Sequence, residues 1–142
     1  MHDTIRKFGW PATLVKDYRH WVVLLRPAQP TLGSLVLAAR SEATAFGALE
    51  PEAHAELAEA SAGIEAALGA FVSYERINYL MLMMVDRHVH FHVIPRYEGE
   101  RRWQGLPFPD AGWPGPPALG EARRLDEAQI AALAAELRDV WP

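Results

Sequence analysis

The sequence predicts a single α+β domain of five short strands with helices packed against them. Three observations carry that expectation. Short stretches rich in Val, Leu and Ile sit between turn-forming residues, a long alanine-rich segment repeats apolar residues at three- and four-residue steps, and a capped, apolar-striped segment closes the chain. No repeat or internal boundary interrupts the 142 residues, so they are read as one domain, with a core over 4–97 and a loop plus helix over 98–142.

Taken in order, Asp3 or Thr4 is placed to cap a short helical turn carrying Ile5 and Phe8, with Gly9 ending it. Trp10-Pro11 is expected to run extended, followed by a strand over 12–16, a turn over 17–20 and a second strand over 21–25, which together form a hairpin. Residues 26–33 hold two prolines and a glycine and read as a loop, after which 34–38 forms the third strand. Glu50-Pro51-Glu52 opens a helix with proline in the first turn and acids at the positive end of the dipole. Leu57, Ala60, Ile64, Ala67, Leu68 and Phe71 then mark its buried stripe, with Gly63 as a weak point.

Residues 76–84 are apolar at both parities and read as a fourth strand, central and covered on both faces. Its methionines are taken as core gap-fillers, the alternative being an adaptable ligand or subunit surface. Val85-Asp86-Arg87 turns the chain into a fifth strand antiparallel to the fourth. The Pro- and Gly-rich stretch 97–120 has no periodicity and is expected to be a functional loop or lid. Asp126 and Gln129 have the spacing of a capping box for the last helix, with Ile130, Leu133, Leu137, Val140 and Trp141 on its buried face.

The fifth strand concentrates the chemistry. In His88-Val89-His90-Phe91-His92-Val93-Ile94-Pro95-Arg96, half of the chain's six histidines alternate with apolar residues and share one strand face. Buried imidazoles need hydrogen-bond partners, so a face filled this way has a purpose beyond packing. A metal site is one reading, but at about 3.3 Å per residue the first and third histidines lie roughly 13 Å apart. His2, His20, His54 and Asp86 stand at no ligand-like spacing to them. A serine triad is another, yet Ser34, Ser41, Ser61 and Ser73 occur without a Gly-x-Ser-x-Gly elbow. The third makes one histidine a nucleophile toward phosphorus, with its neighbours donating to phosphate oxygens.

Bulk properties narrow the setting. A net charge of −4 speaks against a protein that coats nucleic acid, and the absence of cysteine removes disulfides, thiolate nucleophiles and Cys-based zinc sites. The first residues lack the apolar run of a signal peptide, and the apolar run 79–85 is too short to span a bilayer, so a cytoplasmic protein without membrane contact is expected.

His88-x-His90-x-His92 with its apolar partners and the following Pro95-Arg96 resembles the motif of the histidine triad (HIT) nucleotide hydrolases and transferases. The resemblance extends to Thr4-Ile5, Pro11-Ala12, the Pro-x-Leu-Gly-Ser loop ending at Ser34, Leu35-Val36-Leu37 and Leu49-Glu50-Pro51-Glu52. It implies a HIT-like fold, a five-stranded antiparallel sheet with a long helix after strand three and a C-terminal helix, and a homodimer. It also implies His90 as the nucleophile that takes up a nucleoside monophosphate, with His88 and His92 holding and orienting the phosphate. No cofactor is required, and Mg²⁺ would accompany only a polyphosphate substrate. Arg26 stands where the family commonly has a ribose-binding acid or amide, Ser34 where it has a loop histidine, and Val85 where a polar donor usually precedes the triad. Arg26, Ser34, Arg87 and Arg96 are therefore the candidates for nucleotide or phosphate contacts, with Arg101 and Arg102 near them. Trp103 and Trp113 are candidates either to stack on a base or to anchor the long loop.

Overall fold

The computed structural model describes residues 1–142. It contains α1 (Asp3–Lys7), β1 (Leu14–Asp17), β2 (Trp21–Leu25), β3 (Ala28–Gln29), β4 (Leu35–Ala39), a 3-10 turn (Phe46–Ala48) and α2 (Pro51–Val72). These are followed by β5 (Arg76–Leu80), β6 (His90–Arg96), β7 (Glu100–Trp103), β8 (Leu106–Pro109), β9 (Arg123–Arg124) and α3 (Glu127–Val140). The main sheet has five strands in the order β1-β2-β4-β6-β5, every neighbouring pair antiparallel. This is the α+β architecture the sequence predicts, with the long helix after the third main strand and a helix at the C-terminal end.

Side-chain alternation sorts the sheet into two layers. Trp21, Val23, Leu25, Leu35, Leu37, Val89 and Val93 point to one face and join Ala60, Ile64 and Leu68 of α2 and Leu133 and Leu137 of α3 in the main core. Each fully buried aliphatic side chain there contributes about 1.5–3 kcal/mol of transfer free energy. The interleaved residues Val22, Leu24, Val36 and Ala38 face the other way, under Ile5 of α1, with Phe8, Trp10 and Leu14 packed alongside. The histidines belong to this second face: His90 pairs with Ala38 and His92 with Val36 across the β4–β6 ladder.

Gly63, expected to weaken α2, has a packing role. A Cβ there would collide with the Tyr18 hydroxyl, which accepts from Trp141 Nε1 at 3.0 Å where α3 ends. The capping box of α3 forms between Asp126 and Gln129, and Leu133 and Leu137 are buried, whereas Val140 is 38% exposed and stands outside the expected stripe.

Four expectations are corrected. His2, not Asp3 or Thr4, caps α1, its Nδ1 accepting from the Ile5 amide. Residues 10–13 form turns in place of extended chain, because Thr13 hydrogen-bonds back to the Phe8 carbonyl and delays β1 to Leu14. The fourth strand is an edge strand that stops at Leu80, and residues 81–84 leave the sheet with Met83 at φ 55°. Finally, residues 97–120 are not a lid throughout. Residues 100–109 form the β7–β8 hairpin around Gln104-Gly105, and Trp103 and Phe108 are buried in the main core. No helix is long and apolar enough to cross a membrane.

Candidate active site

Alternation along β6 and its approach puts His88, His90 and His92 beneath α1, all of them buried. Each imidazole meets a different environment, and the hydrogen bonds assign its proton.

His90 Nδ1–H donates to the backbone carbonyl of His88 at 2.7 Å. A carbonyl only accepts, so the proton sits on Nδ1 and the lone pair of the neutral ring lies on Nε2. No protein group hydrogen-bonds to that Nε2, and it is not sealed from solvent. His92 Nδ1 accepts from Arg26 Nε–H at 3.5 Å, which leaves Nε2 as a donor. Burial, reinforced by the charge of Arg26 and by His90, pushes the His92 imidazole down to about 4. At neutral pH it is therefore an uncharged hydrogen-bond donor. The His90 and His92 rings lie edge to face with centroids 5.1 Å apart, and Phe8 packs on both at 5.7 Å.

His88 is tied into the scaffold. Its Nε2 lies 3.1 Å from a Glu42 carboxylate oxygen, so that nitrogen carries the proton, and Nδ1 accepts from the Thr4 hydroxyl at 2.8 Å. His2 stacks on the ring at 4.0 Å and donates from Nε2 to the Ala39 carbonyl at 2.7 Å. Burial pushes the His2 imidazole down as well. The His88 ring lines a different cavity from the one lined by His90 and His92. Its link to His90 is the backbone carbonyl.

The His90–His92 cavity has a volume of about 320 Å³ and is lined by Lys7 of α1 and Phe8 just after it, by Arg26, by residues 82–86 and by Leu119. Lys7 Nζ pairs with Asp86 at 2.6 Å, fixing α1 to the β5–β6 connection. Arg26 donates from Nη1 to the Ala28 carbonyl at 2.5 Å, and burial lowers its pKa. Its Nη2 carries no hydrogen bond. A smaller cavity of about 210 Å³ shares Lys7, Phe8 and Arg26 with it and is also lined by Arg124 of β9.

The four expected phosphate ligands separate. Arg26 is at the cavity and touches His92. Arg87 is exposed and lines the neighbouring cavity beside His88. Ser34 is not brought to the site: it is fully buried, donates to the Thr31 carbonyl at 2.8 Å and stabilises the turn before β4. Arg96 is not brought there either. It lies buried at the far end of β6 in a two-pronged ion pair with Asp110, at 2.7 and 3.0 Å, and donates to Asn78 at 2.8 Å. Arg101 donates to the Val72 carbonyl at the end of α2, and Arg102 pairs with Glu100. Trp103 is an anchor, buried and bonded to Glu136 of α3.

Lys7, Phe8, Thr4, Glu42 and Arg124 are site residues that the sequence did not mark. Thr4, Lys7 and Phe8 stand at i, i+3 and i+4, the spacing of one helix face, which was the only available signal. No group of three His, Cys, Asp or Glu side chains is arranged to hold a metal ion.

No protein-family sequence profile matches the chain. No curated protein sequence matches it either. Solved structures do. A histidine triad protein from Bradyrhizobium japonicum superposes with a TM-score of 0.76 at 20% identity, covering 99% of this chain and 97% of that one. One from Sinorhizobium meliloti gives 0.76 at 23% identity over 99% and 95% of the two chains. A hypothetical histidine triad nucleotide-binding protein from Sulfolobus tokodaii gives 0.67 at 17% over 90% and 82%. At these identities the likeness is one of fold, and the fold of this chain is that of the histidine triad proteins.

Proposed function

We propose that this protein is a HIT-type nucleotidyl hydrolase or transferase that cleaves a nucleoside phosphoanhydride or phosphoramidate through a covalent nucleotidyl-His90. The observation that carries this reading is the His90 Nδ1–H bond to the His88 carbonyl, which leaves Nε2 with a free lone pair in a cavity that also holds two cationic side chains. Nε2 attacks the α-phosphorus, a P–N bond forms, and the bond to the leaving group breaks. The ring, now cationic, keeps its Nδ1–H on the His88 carbonyl. His92 donates from Nε2 to a non-bridging oxygen, while Arg26 and Lys7 balance the phosphate charge. Water then attacks the phosphorus, the P–N bond breaks and the monophosphate leaves. The leaving group takes up one proton and the water gives one up, so none is consumed overall.

His88, Thr4 and Glu42 act as positioning residues, since the carbonyl that fixes the His90 tautomer belongs to a residue whose ring is held on both nitrogens. The substrate is a nucleotide, with Mg²⁺ entering only alongside a polyphosphate. A homodimer working in the cytoplasm completes the proposal, as does the absence of any nucleic-acid partner.

One observation favours a second reading, a nucleotide-binding protein without efficient turnover: the β5–β6 connection offers Met83, Met84 and Val85 where a polar phosphate contact is usual. His90→Ala separates the two. Intact mass after mixing with a panel of dinucleotides and phosphoramidates should show an adduct on the wild type and none on the variant. Turnover should fall by at least about a thousandfold in the variant. Equal hydrolysis by both proteins sinks the enzyme reading, and nucleotide binding without turnover by either favours the binding protein.

A further inference from the structure

His2 caps α1 with an imidazole, a side chain that can do so in only one protonation state. Its Nδ1 accepts from the Ile5 amide at 3.4 Å, and its Nε2–H donates to the Ala39 carbonyl at the end of β4 at 2.7 Å. Both nitrogens are thereby assigned: the ring is neutral, with its one proton on Nε2. It is 5% exposed and lies flat on His88, with centroids 4.0 Å and planes 15° apart. A second proton would go on Nδ1 and point at the Ile5 N–H, donor against donor, in a buried position. An Asn cap accepts through an oxygen and carries no such condition.

What His2 holds reaches the candidate site. Thr4 and Lys7 stand on the same short helix, and Phe8 ends it. Thr4 donates to His88 Nδ1 at 2.8 Å, and Phe8 packs on His90 and His92 at 5.7 Å. A helix of five residues does not stand alone, so its position depends on its anchors. These are Ile5 in the second core, the Lys7–Asp86 ion pair at the C-terminal end and His2 at the N-terminal end.

The groups around the ring divide. Burial is the largest influence and pushes the His2 imidazole down; the Ala39 carbonyl and Glu42 act against it, His88 and the terminal amine of Met1 with it. Arg40 reaches Met1 Sδ with its guanidinium engaged by Asp17, and Asp3 follows on α1. His88 tolerates a proton on Nδ1, since the Thr4 hydroxyl can rotate to accept it and Glu42 already takes the other. His2 has no such freedom, because a backbone N–H cannot become an acceptor.

We propose that His2 is a positioning residue and a proton-sensitive latch: its neutral ring fastens α1 over His88, and its protonation frees the first turn of α1 and the Thr4–His88 bond while the sheet stays folded. This deepens the proposed function, on which only the effect on turnover rests. The latched ring titrates below its free value of 6.5, so the latch is closed above about that pH and opens as the pH falls below it.

Amide exchange of the full chain by NMR, expressed as protection factors so that the intrinsic pH dependence cancels, reads the latch directly. Between pH 7 and pH 5 the Ile5 and Arg6 amides should lose at least about threefold in protection. At both pH values they should stay far less protected than the β2 amides, which marks a local opening. His2→Asn should abolish the fall, His2→Ala should be poorly protected at both pH values, and His92→Gln should leave the fall in place. The ratio of wild-type to His2→Asn turnover should decline by the same factor over that range.

α1 protection that stays flat in the wild type, or falls as far in His2→Asn, overturns the latch, and so do α1 amides as protected as those of β2. If His2→Ala does not fold, the wild type and His2→Asn decide between them. Flat exchange together with turnover and an adduct removes the latch and leaves the enzyme reading in place. The expected exchange pattern in a protein that neither turns over nor forms an adduct leaves the latch standing and removes the enzyme reading.

Discussion

His92 sits between Arg26 and His90, and that position makes its charge state a property of the fold. Its imidazole is held at about 4 by burial first and by its cationic and imidazole neighbours second, against 6.5 for a free side chain. Between those values the unfolded chain binds more protons than the native one. Stability is therefore fully present above about pH 6.5 and is lost as the pH falls toward 4, with His2 acting in the same direction. Urea midpoints should drop between pH 7 and pH 5, and part of that drop should vanish in His92→Gln. A midpoint that does not move with pH in the wild type contradicts the assignment. Thr4 presents a second case at this scale. Thr4→Val keeps the shape but removes the donor to His88 Nδ1, leaving a buried nitrogen unsatisfied at a cost of about 1–3 kcal/mol. Thr4→Ser should retain most of the stability in the same unfolding experiment. The three histidines were legible because period-2 spacing alone puts them on one face. Thr4, Glu42 and His2 were not, since they reach His88 only through tertiary contact.

The elements show which local rules held and which gave way. β2 was readable to the residue because all five of its positions are buried and no turn former competes. β5 was not, because Met81–Met84 continue its apolar composition after the ladder has ended, and composition cannot separate a strand from a loop that lines a cavity. The 100–109 hairpin was hidden for a related reason. Its turn, Gln104-Gly105 with φ of 50° and 75°, suits a two-residue hairpin, but prolines at both 107 and 109 argue against a strand. β8 tolerates them because it pairs on one side only, with β7. Besides the burial of Trp103 and Phe108, the buried Arg96–Asp110 pair ties this hairpin to the sheet, with Asp110 also accepting from the Tyr97 amide at 3.2 Å. Arg96 therefore spends its guanidinium on the scaffold. Asp110→Ala should cost about 3–5 kcal/mol by stranding a buried charge, while Arg96→Met with Asp110→Leu should cost less than that single change. Denaturant midpoints for the three proteins decide it, and a double variant weaker than Asp110→Ala contradicts the account.

At the scale of the whole molecule, the two edges of the main sheet are finished differently. The β1 edge is overlain by α3, and Arg138 donates to the Leu14 carbonyl at 2.8 Å, so that edge is partly satisfied within the chain. β5 pairs with β6, the histidine strand, on one side and has no strand on the other. An unprotected edge is a template for another strand, and a two-fold axis would let β5 meet its own copy antiparallel, joining two five-stranded sheets. Such an interface would be made by backbone groups of Arg76–Leu80 and would leave Met84 and Val85, beyond the end of the strand, outside it. Sedimentation equilibrium of the wild type should accordingly give the mass of a dimer, and Met84→Ser with Val85→Ser should leave that mass unchanged. A monomer at every concentration removes the dimer from the proposal, and it would mean that the β5 edge is protected by its short length alone.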